Sequence, residues 1–291
     1  MRTLFLIIAL ACSGSLFSED IDIGDVDFET SMQRNYSYDA EFMQTSRRWQ
    51  IVRKLYEVYQ REQEQESSYY LIPPLIHFIW LGSPLPERCR VIIDTWRHFH
   101  PEWTIKIWTE EDLSYFGMQN KAIFDRAKNY GEKSDIWRYE ILYRYGGLYV
   151  DTDFECLHSF EHIHRTCQFY AGLGYIRTPL LYNGLIGCAP GHPIMKQCVE
   201  QLEESTGDQN DHRIQAETGP FYFTHCFFQT VRKNSIGVVP FPVTFFYAFP
   251  NNMRKGTLDR DFIKQKWVLP ESLALHYWEV SWVDRSLPNI K

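Results

Sequence analysis

The sequence has no surplus of positive charge: 30 lysines and arginines stand against 37 aspartates and glutamates, for a formal net charge of −7. A protein that coats nucleic acid neutralises phosphates with a basic stripe, so that class is disfavoured. A small anionic ligand met by local cations remains compatible. The chain also lacks an apolar run of the roughly 20 residues needed to span a bilayer. Its seven cysteines show no CxxC and no zinc-type spacing. Internal repeats and low-complexity tracts are absent too.

What is present suits a folded α/β protein. Over 291 residues, 44% apolar and 16% aromatic, the chain is long enough to bury a sizeable core. Met1 to Cys12 pair one positive charge with a short apolar stretch, and small residues follow before Glu19 and Asp20. That reads as a signal peptide over 1–18, with a short N-terminal anchor or a lipid on Cys12 as its competitors. The other six cysteines, Cys89, Cys156, Cys167, Cys188, Cys198 and Cys226, permit disulfides in an exported chain but equally suit buried thiols.

Residues 19–40 are acidic and polar with little periodicity and read as a linker. From Glu41 to Gln65, Phe42, Trp49, Val52, Leu55, Tyr56 and Tyr59 recur at helical spacing, so an amphipathic helix is expected before a domain over 71–291. Leu75 to Leu81 is a short apolar run, as a buried parallel strand would be. Pro86 to Phe99 reads as a helix, 104–108 as a strand, and Thr109-Glu110-Glu111-Asp112 as a helix start. Further strands are expected over 169–173, 181–187 and 273–276, with helices over 192–203 and 216–231. The order implies one domain with a mostly parallel central sheet, helices on both faces and an N-terminal helical extension.

The most informative run is Ser134 to Asp153. Ser134 reads as an N-cap with Asp135 in the first turn and Arg138 three residues on, on the same face. Gly146-Gly147 stops the helix, and Leu148-Tyr149-Val150 is a buried strand. Asp151 and Asp153 then fall beyond the strand's carboxyl end, where open α/β sheets bind ligands. Two hard oxygen donors there suit Mg²⁺ or Mn²⁺ shared with substrate phosphates. Taken alone, Asp135 and Arg138 are equally explained by helix-end electrostatics and an exposed ion pair.

The segment Ser134-Asp135-x-x-Arg138-Tyr139 through Gly146-Gly147-x-Tyr149-x-Asp151-x-Asp153 resembles the DXD sugar-binding region of glycosyltransferase family 32. That group includes fungal Golgi α-mannosyltransferases and is related to the clostridial glucosylating toxins. Ile72-Pro73-x-x-Ile76-His77-Phe78-Ile79-Trp80-Leu81-Gly82, Asn183-Gly184, Ala189-Pro190-Gly191-His192-Pro193, Thr218-Gly219-Pro220 and His276 with Ser281-Trp282 resemble its other motifs, in family order. The resemblance implies a GT-A-like nucleotide-binding domain and a metal-dependent, retaining transfer of a hexose. The donor would be a UDP- or GDP-sugar and the acceptor a hydroxyl on a glycan, lipid or protein.

By position, Asp153 would ligate Mn²⁺ or Mg²⁺, Asp151 would reach the metal or donor, and Asp135 and Arg138 would bind the donor sugar. Tyr149 would line that pocket, Trp80 would stack on the base, and His77 and Asn183 are further donor contacts. His276 would complete the metal shell, with Glu279 as the alternative from the toxin branch, and Ser281 and Trp282 would meet the leaving diphosphate. A metal-dependent hydrolase and a non-catalytic sugar- or nucleotide-binding secreted protein are the competing readings. No nucleic-acid partner is expected, and the membrane enters only through a possible N-terminal anchor. The leader implies the secretory pathway, exported or Golgi-lumenal.

Overall fold

A computed structural model describes residues 26–34, 39–62, 67–174, 178–203, 211–232, 235–254 and 259–279. The leader expected at 1–18, and Ser281 and Trp282, lie outside the described residues. No helix among them is long and apolar enough to cross a membrane.

The chain opens with α1 (Phe28–Gln33), α2 (Ala40–Thr45) and α3 (Arg47–Glu62). Helix α1 falls in the stretch expected as a linker. Asp27 caps it by accepting from the Thr30 amide at 2.8 Å, and Phe28 and Met32, one turn apart, are both buried. Two apolar residues in a six-residue helix are too few to show as a periodic pattern in a polar stretch. The helix expected over 41–65 is broken at Ser46, whose extended backbone (ψ 122°) ends α2. The Ser46 carbonyl accepts from the Gln50 amide at 3.0 Å, starting α3. Trp49, Val52, Leu55, Tyr56 and Tyr59 then form the buried face.

The chain then runs β1 (Leu75–Ile79), α4 (Glu87–Phe99), β2 (Thr104–Trp108), α5 (Leu113–Phe116), α6 (Lys121–Arg126), α7 (Tyr130–Tyr145), β3 (Gly147–Val150), β4 (Phe154–Cys156) and α8 (Glu161–Thr166). It continues through β5 (Phe169–Leu173), β6 (Leu181–Cys188), α9 (Pro193–Glu200), α10 (Asp211–Glu217), α11 (Pro220–Thr230), β7 (Val238–Phe241), α12 (Arg260–Trp267) and β8 (Ala274–His276). Six strands form one sheet in the order β2-β1-β3-β6-β5-β7. The β1–β2, β1–β3 and β5–β7 pairs are parallel, and β6 runs antiparallel to β3 and β5. The expected mostly parallel α/β sheet is therefore present, with one reversed strand at its centre.

Neighbouring side chains on a strand point to opposite faces. Phe78 packs its ring 6.4 Å from Trp96 of α4, while His77 lies 6.5 Å from Tyr145 of α7. Helices thus cover both faces of the sheet. Helix α7 is buried on most sides, including Ile136, Trp137, Tyr139, Ile141 and Leu142. At its end Gly146 (φ 63°) and Gly147 (φ 92°) turn the chain into β3. A Cβ on Gly147 would sit 2.4 Å from the Leu75 carbonyl, so the approach of β3 to β1 requires glycine there.

Strands β4 and β8 form a separate antiparallel ribbon, with Phe154 opposite His276. Their rings stack at 4.2 Å and an interplanar angle of 4°. This ribbon carries a late residue to the end of β3. The six described cysteines are buried free thiols.

Candidate active site

Beyond the carboxyl ends of β1 and β3 lies a cavity of about 670 Å³. Trp80, Asp135, Arg138, Tyr149, Asp151, Asp153, Asn183 and His276 all line it. The sheet places them there by a switch in direction: β1 and β3 run in parallel, and β6 returns beside β3 to deliver Asn183 and Gly184.

Helix α7 begins a turn earlier than the sequence suggests. Asn129, not Ser134, is the cap, accepting from the Gly131 and Glu132 amides at 2.7 and 3.3 Å. Asp135 therefore stands in the second turn and is buried, out of reach of the helix-end explanation. It is held by side chains instead. Its Oδ1 accepts from Asn183 Nδ2 at 2.8 Å and meets the Arg138 guanidinium at 3.1 Å. Its Oδ2 accepts from Thr218 Oγ1 at 3.1 Å. Burial, opposed by Arg138 and reinforced by Asp151, pushes Asp135 up to about 7.

Arg138 is the hub. It donates to the Asn183 carbonyl at 2.6 Å and to the Ser134 carbonyl at 3.2 Å. Its other nitrogen lies 3.4 Å from Asp151 Oδ1. The guanidinium also sits over the Tyr149 ring at 4.4 Å. Burial works against its charge, but Asp151, Tyr149 and Asp135 outweigh it and hold the group protonated. An exposed pair of little value is thereby replaced by a buried, geometrically fixed one.

Asp151 and Asp153 converge. Both lie past β3 in a turn closed by the Phe154 amide on the Asp151 carbonyl at 3.2 Å. Asp151 Oδ1 accepts from the Tyr149 hydroxyl at 2.8 Å. Burial, eased by Arg138 and aggravated by Asp153, raises the Asp151 pKa. Asp153 Oδ1 faces His276 Nε2 at 3.1 Å, and its Oδ2 accepts from the Glu279 amide at 2.7 Å. One ligand atom each from Asp151, Asp153 and His276 lies within 4.8 Å of the others.

That trio fits a divalent cation. Two hard carboxylates and one imidazole are a donor set for Mn²⁺ or Mg²⁺, with the nitrogen favouring Mn²⁺. Among the described residues His276 Nδ1 is buried without a hydrogen-bond partner, and Arg138 is the guanidinium set against Asp151. Glu279 differs from the expected alternative ligand. Its carboxylate is taken by Arg88 at 3.1 Å and Arg260 at 3.0 Å.

Gly184 sets the clearance. A Cβ there would lie 2.7 Å from Asp151 Oδ2 and 3.3 Å from the Phe154 ring. Gly184→Ala is expected to weaken Mn²⁺ binding by about tenfold or more while the sheet still forms. Electron paramagnetic resonance of free Mn²⁺ against protein concentration measures this, and an unchanged affinity would show that Asp151 has room to spare.

His77 is placed away from the cavity. Its Nε2 bonds the Gly146 carbonyl at 2.9 Å and its Nδ1 accepts from the Trp108 indole at 3.1 Å. Burial, against the Gly146 bond, lowers it to about 4. A neutral, doubly bonded core imidazole has no atom left for a donor, so the contact expected of His77 is corrected to a structural one. Trp80, half-buried, remains at the cavity wall with its indole nitrogen 3.3 Å from Ser83 Oγ. Sequence reasoning gave no role to Thr218, although Thr218-Gly219-Pro220 stood out as a motif. Its hydroxyl on Asp135 supplies the role.

Residues 86–170 match the family described as "Glycosyltransferase sugar-binding region containing DXD motif". Among curated proteins, "Subversion of eukaryotic traffic protein A" of Legionella pneumophila is 27% identical over 191 residues, covering 54% of this chain and 28% of that protein. "Inositol phosphoceramide mannosyltransferase 3" of Schizosaccharomyces pombe is 29% identical over 153 residues, covering 51% of this chain and 42% of that protein. The match thus spans less than half the length of either relative. Among solved structures, "PaToxG Glycosyltransferase" aligns with a TM-score of 0.44 at 18% identity, covering 60% of this chain and 76% of that one. The segment that carries Asp135, Arg138, Asp151 and Asp153 lies within the residues that match the DXD-containing sugar-binding region of glycosyltransferases.

Proposed function

We propose that the chain is a metal-dependent, retaining glycosyltransferase that moves a hexose from a UDP- or GDP-sugar to a hydroxyl of a glycan, lipid or protein. One observation carries the reading: Asp151, Asp153 and His276 gather within 4.8 Å beside the buried Asp135–Arg138 pair, inside the DXD region. Asp151, Asp153 and His276 hold the cation. When bound, it stabilises the negative charge that builds on the leaving diphosphate.

The chain's own residues do the rest. Arg138, fixed by the Asn183 carbonyl and Asp151, presents a pre-oriented positive charge to the donor, which costs no reorganisation at the moment of reaction. Asp135 accepts from sugar hydroxyls, with Asn183 and Thr218 setting its rotamer. Trp80 offers a face to the nucleobase, a contact worth about 1–3 kcal/mol by analogy with base stacking on other aromatic platforms. Tyr149 forms the floor under Arg138 and orients Asp151 through its hydroxyl. An assignment to the secretory pathway rests on the leader-like residues at 1–18.

The test is a nucleotide-release screen of purified protein over UDP- and GDP-hexoses with Mn²⁺. Release from at least one donor is expected, falling to background when EDTA is added and returning with excess Mn²⁺. Release that EDTA does not touch would remove the metal from the reading. No release from any donor would favour a binding module.

A further inference from the structure

The last described residues do something the candidate ligands alone do not explain. Past β8 the chain stays beside Asp153: the Tyr277 amide donates to the Asp153 carbonyl at 3.0 Å, and the Glu279 amide to its Oδ2 at 2.7 Å. Between them Trp278 has φ 57°, the positive-φ residue other than glycine among those described. L side chains rarely adopt that conformation, so the turn must be held in place from outside. Its indole is pinned to the Phe249 carbonyl at 2.7 Å. The far end is held by charge. Glu279 Oε2 meets Arg88 of α4 at 3.1 Å and Oε1 meets Arg260 of α12 at 3.0 Å.

We infer that Glu279 is a positioning residue: its carboxylate, gripped between Arg88 and Arg260, latches the strained turn so that its amide aims Asp153 at the cation site. The inference rests on reading Asp151, Asp153 and His276 as that site. With one carboxylate oxygen occupied by the Glu279 amide, Oδ1 of Asp153 is the atom left facing His276. Each ion pair is partly exposed and weak on its own. Two pairs converging on one carboxylate from two separate helices define its place far better than either alone.

The latch differs from direct ligation in what the arginines do. If Glu279 ligated the cation, removing Arg88 and Arg260 would free its carboxylate and leave Mn²⁺ binding equal or tighter. If it is a latch, the arginines matter as much as the glutamate. Mn²⁺ affinity is read by electron paramagnetic resonance on the full chain, with no donor present. Wild type, Glu279→Ala, the double variant Arg88→Ala/Arg260→Ala and the triple variant are compared, with melting curves to check folding. The double and Glu279→Ala variants are each expected to bind Mn²⁺ about tenfold more weakly, and the triple no more weakly than either. Arg88→Lys/Arg260→Lys should recover most of the loss. Each arginine replaced singly should show part of it, and these single variants serve if the double does not fold. Arginine variants that bind Mn²⁺ as wild type does, while Glu279→Ala does not, would overturn the latch. Failure of the wild type itself to bind Mn²⁺ would remove the cation site and the latch together.

Discussion

Asp153→Ala is expected to lower metal-dependent nucleotide release by about a thousandfold, the scale on which loss of one preorganised charge-stabilising group acts. Asp153 touches one other candidate ligand and the backbone that closes over it: His276 Nε2 at 3.1 Å, the Glu279 amide at 2.7 Å. Removing it leaves one carboxylate and one imidazole, too few hard donors to compete with water for Mn²⁺. The fold should tolerate the change, because the substitution also removes a negative charge lying beside Asp151. Asp153→Asn keeps the shape and the Glu279 contact but not the charge, and should lose nearly as much activity. Nucleotide release and Mn²⁺ affinity measured on the same preparations check this. A variant that binds Mn²⁺ normally and turns over a donor would falsify the assignment.

Arg138→Ala should act on stability first. Its guanidinium lies against Asp135 at 3.1 Å and Asp151 at 3.4 Å; Arg138 and Asp135 are buried, and Asp151 is partly exposed. Deleting one member of a buried ion pair strands the other, at a cost of about 3–5 kcal/mol. For a domain of this size that corresponds to a melting temperature lower by roughly 10 °C. Arg138→Lys should rescue little. A single ammonium cannot reach the Ser134 carbonyl, the Asn183 carbonyl and two carboxylates together, as the planar fork does. Adding Asp135→Asn to Arg138→Ala should restore part of the lost stability, since one stranded charge disappears. Thermal melts of the three variants decide the matter. Equal stability of wild type and Arg138→Ala would mean that the carboxylates are already neutral in the folded state.

Local chemistry was legible in the sequence wherever neighbours in the chain are neighbours in space. The apolar run at β1, the Gly146-Gly147 stop and the strand before Asp151 all lie where their composition puts them. The start of α7 was not, because Ser134 has the look of a cap while Asn129 makes the actual bonds. A helix buried on most sides carries no stripe to fix its frame. His77 misled for a related reason: a polar residue in an apolar strand signals function only when its hydrogen bonds are missing, and here Gly146 and Trp108 supply both. The Thr218 contact crosses 83 positions and the Arg88–Glu279 pair crosses 191, distances at which no local pattern operates.

The ribbon of β4 and β8 has a bearing on biosynthesis. Phe154 and His276 are 122 positions apart, yet their stacked rings bring His276 onto Asp153. During translation Asp151 and Asp153 emerge long before their third partner, and closing so long a loop is among the slower steps available to a folding chain. Asp151 and Asp153 therefore wait as a bare acidic turn until residue 276 has been made and docked. A ribosome stalled ahead of that point holds a nascent chain whose candidate cation site still lacks His276.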